Sequence, residues 1–179
     1  MSRRAAQPGR RGFTLVEVAV SMLVVALLLT AALHTLAASR AGQRDTADRQ
    51  RGFLLAEDLM SEILAQPYAD AAHPGHLGPE AGETSEAGRS GFDDVDDYAG
   101  WVRSGPVARS GEALAGYGDW TRRASVTRVT PAGDSSQMET GVKRIEVVVH
   151  RGSRECARLV ALRSRSWPAA DEPGEAIAP

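Results

Sequence analysis

From Phe13 to about Ala38 the chain is almost continuously apolar, and one acid, Glu17, stands as the fifth residue of that run. A run of this length meets the roughly 20 residues that a helix needs to cross a bilayer core. A carboxylate inside it is costly, at about 2.5 to 3.5 kcal/mol near mid-membrane and less toward an end. No Lys or Arg lies within the run, and the only other titratable side chain, His34, is roughly 25 Å further along a helix. A partner for Glu17 must therefore come from outside the segment. Ahead of the run stand Arg3, Arg4, Arg10 and Arg11. By the positive-inside rule they keep the leader in the cytoplasm and put the bulk of the chain, in a single pass, on the other side.

Gly12-Phe13-Thr14-Leu15-Val16-Glu17, behind a short basic leader and ahead of an apolar helix, resembles the processing signal of type IV pilins and type II secretion pseudopilins. The resemblance implies cleavage after Gly12 by a prepilin peptidase, which also methylates the new amino terminus at Phe13. It implies that the bitopic precursor sits in the inner membrane and that its partners are other pilin or pseudopilin subunits, a membrane assembly platform and the lipid bilayer. It assigns Glu17 to assembly. An α-amine is largely protonated near neutral pH. Glu17 of one subunit can neutralise the Phe13 amine of its neighbour in a low-dielectric helix bundle, removing two unpaired charges.

Two blander readings compete. A secretory signal has an apolar core of about 7 to 15 residues and a small-residue cut site, which Leu36-Ala37-Ala38 could supply, although this run is longer and carries Glu17 near its front. A plain uncleaved anchor is the other. One departure from the family pattern also matters. Main structural pilins often have a proline about two-thirds of the way along the membrane segment, where this chain has His34, and no proline interrupts residues 13–66. That favours a minor subunit.

At 179 residues the chain has room for one modest domain beyond the membrane segment. Its charge is unevenly spread: residues 68–119 carry ten acids against three arginines, and residues 120–167 carry ten basic residues against four acids. Complementary halves suit head-to-tail docking of successive subunits, or simply a solvated surface. Nucleic acid is not expected as a partner, because the aromatic platforms that accompany single-strand binding are scarce. A lone Cys156 excludes an intramolecular disulfide and reads as a small buried hydrophobe.

Past the apolar run the composition turns polar, and Leu55, Leu59 and Ile63 then recur every fourth residue, one stripe of a helix. The reading divides the chain into a leader (1–12), a transmembrane helix (13–38), its amphipathic continuation (39–66), an irregular acidic connection (67–119), an antiparallel sheet (120–167) and a disordered tail (168–179). Pro67 ends the helix, and Gly42 offers a place for it to bend or melt.

The connection is expected to be poorly ordered from about Ala71 to Ser90. Beyond that lies Phe92-Asp93-Asp94-Val95-Asp96-Asp97-Tyr98-Ala99-Gly100-Trp101. It resembles a segment of minor pilin-like proteins of the mannose-sensitive haemagglutinin pilus type. Asp93, Asp94, Asp96 and Asp97 are candidate ligands for calcium, which prefers hard oxygen donors, though the spacing is not that of an EF-hand loop. The alternative is an acidic turn anchored by Phe92, Tyr98 and Trp101. His73 and His76, in a Pro-Gly turn without a third ligand at recognisable spacing, are a weaker metal pair.

Strands are predicted at 123–130, 142–150 and 157–165, the last two joined as a hairpin through Arg151-Gly152-Ser153. Ile145, Val147 and Val149 alternate onto one face, which the Leu55, Leu59 and Ile63 stripe covers. The expected fold is α+β: a long N-terminal helix packed on a small antiparallel sheet of three or four strands. With no nucleophile-and-base pair and no phosphate-cradling loop, the chain reads as a structural subunit and not an enzyme. The alternative is a membrane-anchored envelope protein whose outer domain binds DNA, a metal or another ligand.

Overall fold

The computed structural model describes residues 12, 14–71, 73, 75–83 and 88–166. The leader through residue 11, Phe13 and the tail from residue 167 lie outside the described residues, and with them the expectation of a disordered tail. The chain forms two compact units, Met1–Asp45 and Thr46–Pro179.

One helix, α1 (Leu15–Leu64), supplies nearly all of the described part of the first unit and the opening of the second. It runs through Gly42 without interruption, so the break that glycine could permit is absent. It ends two residues earlier than the sequence suggests. The N–H groups of Ala65 and Gln66 bond to Ser61 and Ile63 carbonyls, both at 3.1 Å, and Pro67 forbids a further turn.

In the first unit the apolar side chains of α1, from Leu15 to Leu36, are exposed. Thr30 and Thr35 donate their hydroxyls to the carbonyls of Ala26 and Ala31, at 2.8 and 2.9 Å. No hydroxyl donor of theirs is then left over, which suits a helix surrounded by hydrocarbon. Among the described residues this is the helix long and apolar enough to cross a membrane.

In the second unit a four-stranded antiparallel meander follows: β1 (Val102–Ser104), β2 (Trp120–Arg128), β3 (Val142–Arg151) and β4 (Arg154–Ser164), in spatial order β1-β2-β3-β4. β1 is a correction, since it lies inside the stretch read as irregular; three residues are too few to show alternation. A two-residue turn closes β3 onto β4, with Arg151 opposite Arg154. Gly152, at φ 58°, occupies the turn's first position, where the tightest hairpins need a left-handed residue.

The core is where the sequence stripe put it. Leu55, Ala56, Leu59, Met60 and Ile63 of α1 pack with Trp120, Ala124, Val126, Ile145, Val147, Val149 and Cys156 of the sheet. Phe92, Val95 and Tyr98 close the same cluster from the acidic segment. Backbone contact is close at Gly52, where an added Cβ would stand 2.7 Å from the Cβ of Cys156. The described part of the stretch expected to be poorly ordered forms turns tied to the rest. Gly78 N–H reaches the Asp96 carbonyl and Arg89 N–H the Arg109 carbonyl, both at 2.9 Å.

Candidate functional site

Of the N-terminal residues singled out, Gly12 is exposed, with nothing within 4 Å of the place a Cβ would occupy. Phe13 lies outside the described residues. Thr14 caps α1: its hydroxyl oxygen accepts the Glu17 N–H at 3.2 Å, and its carbonyl accepts the Val18 N–H at 3.2 Å. Sequence reasoning missed this cap. Thr14 and Glu17 have the threonine-to-glutamate spacing of a capping box, and a carboxylate in the first turn favours the positive end of the helix dipole. Among the described residues no cation pairs with Glu17, which is exposed.

The four aspartates of the acidic segment face different partners. It turns through a 3₁₀ helix at Asp96–Tyr98, with Phe92 and Tyr98 edge to face at 5.0 Å. Asp94 organises this turn from inside. One of its oxygens accepts the N–H groups of Asp96 (2.6 Å) and Asp97 (3.2 Å), and the other accepts the Asp70 N–H. Asp96 is buried against Lys143, whose ammonium lies 2.7 Å from its carboxylate and also reaches the Tyr68 carbonyl. Burial raises the pKa of Asp96, and Lys143 counteracts that. Asp93 is exposed.

Asp97 is the member that faces other acids. Its Oδ2 accepts the N–H groups of Asp93 (2.8 Å) and Asp94 (3.2 Å), while Oδ1, also buried, has no hydrogen-bond partner. Carboxylate oxygens of Asp97, Glu80 and Glu83 lie within 4.8 Å of one another. Burial, followed by the charges of Asp94 and Glu83, pushes the Asp97 carboxyl up to about 6. Hydrogen bonding to Glu83 and then burial push Glu80 up to about 7. A second group, Asp70, His73 and Glu80, adjoins the first. His73 Nδ1 lies 2.9 Å from Asp70, whose hydrogen bond raises the imidazole pKa. His76 is not part of either group; its N–H closes a turn on the His73 carbonyl at 3.1 Å.

Away from these acids, cations are drawn inside. Arg89 is fully buried and grips Glu62 of α1 with Nε and Nη2, both at 2.8 Å, while its guanidinium lies 4.6 Å from the centre of the Trp101 ring. Tyr98 donates its hydroxyl to the same Glu62 carboxylate at 2.8 Å. Arg122, also fully buried, reaches Asp58 of α1 at 2.9 Å. Both guanidiniums donate to the Val107 carbonyl. Sequence reading missed these buried cations because their partners are 27 and 64 positions away, and no local pattern marks such pairs. The uneven charge along the sequence had a use inside the subunit: Lys143 and Arg122 of the basic half serve acids of the earlier half and of α1.

Residues 8–33 match the family model described as the prokaryotic N-terminal methylation motif. No curated protein and no solved structure matches the chain. The match stops short of the acidic segment, so the likeness drawn from Phe92–Trp101 rests on the sequence alone. What the match marks is a prepilin-like amino terminus, of the kind that a prepilin peptidase processes and that assembles with other pilin subunits, and it supports a type IV pilin-like family for this chain.

Proposed function

We propose that the chain is a minor pilin-like or pseudopilin subunit of a type IV pilus or type II secretion filament. It is trimmed after Gly12 and N-methylated at Phe13 by the prepilin peptidase, then extracted from the inner membrane as its apolar helix joins a filament core. Minor standing is favoured by the unbroken helix and by the likeness of Phe92–Trp101 to minor subunits. The observation that carries the reading is Glu17: a carboxylate at the head of an exposed apolar helix, inside the matched motif, with no cation beside it among the described residues. The methylated amine of a neighbouring Phe13 is the partner proposed for it. Several basic residues of the sheet, among them Arg151 and Arg158, are engaged with carboxylates, which supports a reading without nucleic acid.

The test has two arms. Gly12→Asp is expected to leave an untrimmed precursor, heavier than the mature form by about a kilodalton from the size of the leader. Trimming at the normal rate would overturn the processing assignment. Glu17→Ala is expected to be trimmed normally yet enter filaments poorly, and efficient incorporation would remove the pairing role.

A further inference from the structure

We propose that Glu80, Glu83 and Asp97 form a binding site for a hard divalent cation of the calcium class. The first ground is geometry, since three carboxylates from two separate loops bring oxygens within 4.8 Å of one another. Loop 80–83 is held in place by the Glu80 N–H, which donates to Glu83 Oε2 at 2.8 Å, and by Gly82 at φ 109°. The second is a buried carboxylate with one oxygen left unpartnered. Asp97 is only 1% exposed and its Oδ1 has no hydrogen-bond partner, nor has the buried Oε2 of Glu80. A buried carboxylate oxygen left in that state is expensive.

The rest of the same unit shows how its other enclosed acids are served: Asp94 accepts three backbone N–H groups, and two more acids have a cation. Glu62 has Arg89 at 2.8 Å and Asp96 has Lys143 at 2.7 Å. Further carboxylates, among them Asp70 and Asp94, add to the negative charge around the trio. The exposed His73 imidazole reaches Glu80 at 3.9 Å but pairs with neither Asp97 nor Glu83 among the described residues, and negative charge gathered in this way around an enclosed carboxylate fits a metal ion. The donors are all oxygen, which argues against zinc, whose sites favour imidazole and thiolate. Several carboxylates in an irregular arrangement suit calcium better than magnesium, which holds to a strict octahedron and keeps its waters. The calcium expected from the aspartate run is thereby moved: Asp97 keeps its place, while Asp94 and Asp96 serve the turn and Lys143.

The full chain in detergent micelles, stripped with a chelator, is titrated with calcium chloride while thermal unfolding of the second unit is followed by tryptophan signals. The midpoint is expected to rise saturably, by about 5 °C or more at an excess of ion. Glu80→Gln with Glu83→Gln keeps the carbonyl acceptors of the loop and removes two charges. This double variant is expected to melt at or above the chelated parent and to lose the calcium response. Asp93→Asn, outside the trio, is expected to keep it. An unresponsive parent, a double variant that responds like the parent, or magnesium acting as strongly as calcium would overturn the proposal. None of these outcomes bears on trimming at Gly12, so the two readings fail separately.

Discussion

Glu17 and Glu62 stand near opposite ends of one helix, and their surroundings differ in a way that separates the two units. Glu17 is exposed in an apolar stretch, with a threonine cap and no cation among the described residues. Glu62 is enclosed by Arg89 and the Tyr98 hydroxyl. Burial raises the pKa of Glu62, but hydrogen bonding and charge from Arg89 outweigh it and hold the carboxyl below the usual 4.5. The lesson is that α1 obeys two rules. Its rear half meets its needs within the chain, whereas its front half exposes apolar surface of the kind that suits lipid or a helix bundle.

The largest expected effect comes from removing the cation at the satisfied end. Arg89→Leu leaves the Glu62 carboxylate half-enclosed and without its counter-charge, and breaking a buried pair in this way costs about 3–5 kcal/mol. Chemical denaturation of the full chain in detergent measures it, and a loss under about 1 kcal/mol would mean that Glu62 is effectively solvated. The pair also sets an acid limit. A carboxyl whose folded pKa lies below its unfolded one contributes stability that is complete above the unfolded value and fades as pH drops through the folded value. Wild-type stability should therefore fall below about pH 4.5 through this group, and Glu62→Gln should make that limb shallower.

Next in size is the contrast between two leucines. Leu59 is 0% exposed under the sheet and Leu28 is 66% exposed in the first unit. Leu59→Ala should cost about 2–4 kcal/mol of the second unit's stability through lost burial and a cavity. Leu28→Ala should stay within about 0.5 kcal/mol by the same denaturation curve. Equal effects would erase the distinction between the halves.

Much of this division was legible in the residues. Period-four leucines fixed which face of α1 is buried, and alternation in Val142–His150 fixed which face of β3 meets it, because both patterns are local and repeat. The hairpin at Gly152 was legible for the same reason. β1 was not, being too short to alternate. Nor were Arg89, Arg122 and Lys143, whose burial depends on acids distant in sequence. The four aspartates looked alike as a run. Only the 3₁₀ turn separates Asp94, which holds backbone, from Asp96, which holds Lys143, and Asp97, which meets Glu80 and Glu83.

The smallest effect, and the sharpest in sign, lies in two glycines of the same helix. Replacing a helical glycine by alanine gains about 1 kcal/mol of helix propensity where space allows. At Gly42 a Cβ meets nothing within 4 Å. Gly42→Ala should therefore stabilise α1 by up to that amount, seen as greater helicity on heating. At Gly52 the same methyl would lie 2.7 Å from the Cys156 Cβ and 3.4 Å from the Trp120 ring. Neither neighbour is the free end of a flexible chain, so the helix and β4 must separate, and overpacking of this kind costs about 1–3 kcal/mol. Set against the propensity gain, Gly52→Ala should be destabilising by about 1 kcal/mol. Cys156→Ala cannot relieve the clash, because the contact is with the Cβ that alanine retains, whereas Cys156→Gly in the Gly52→Ala background should restore part of the loss. If the double variant is no more stable than Gly52→Ala alone, the close approach of α1 to β4 is not what makes glycine necessary there.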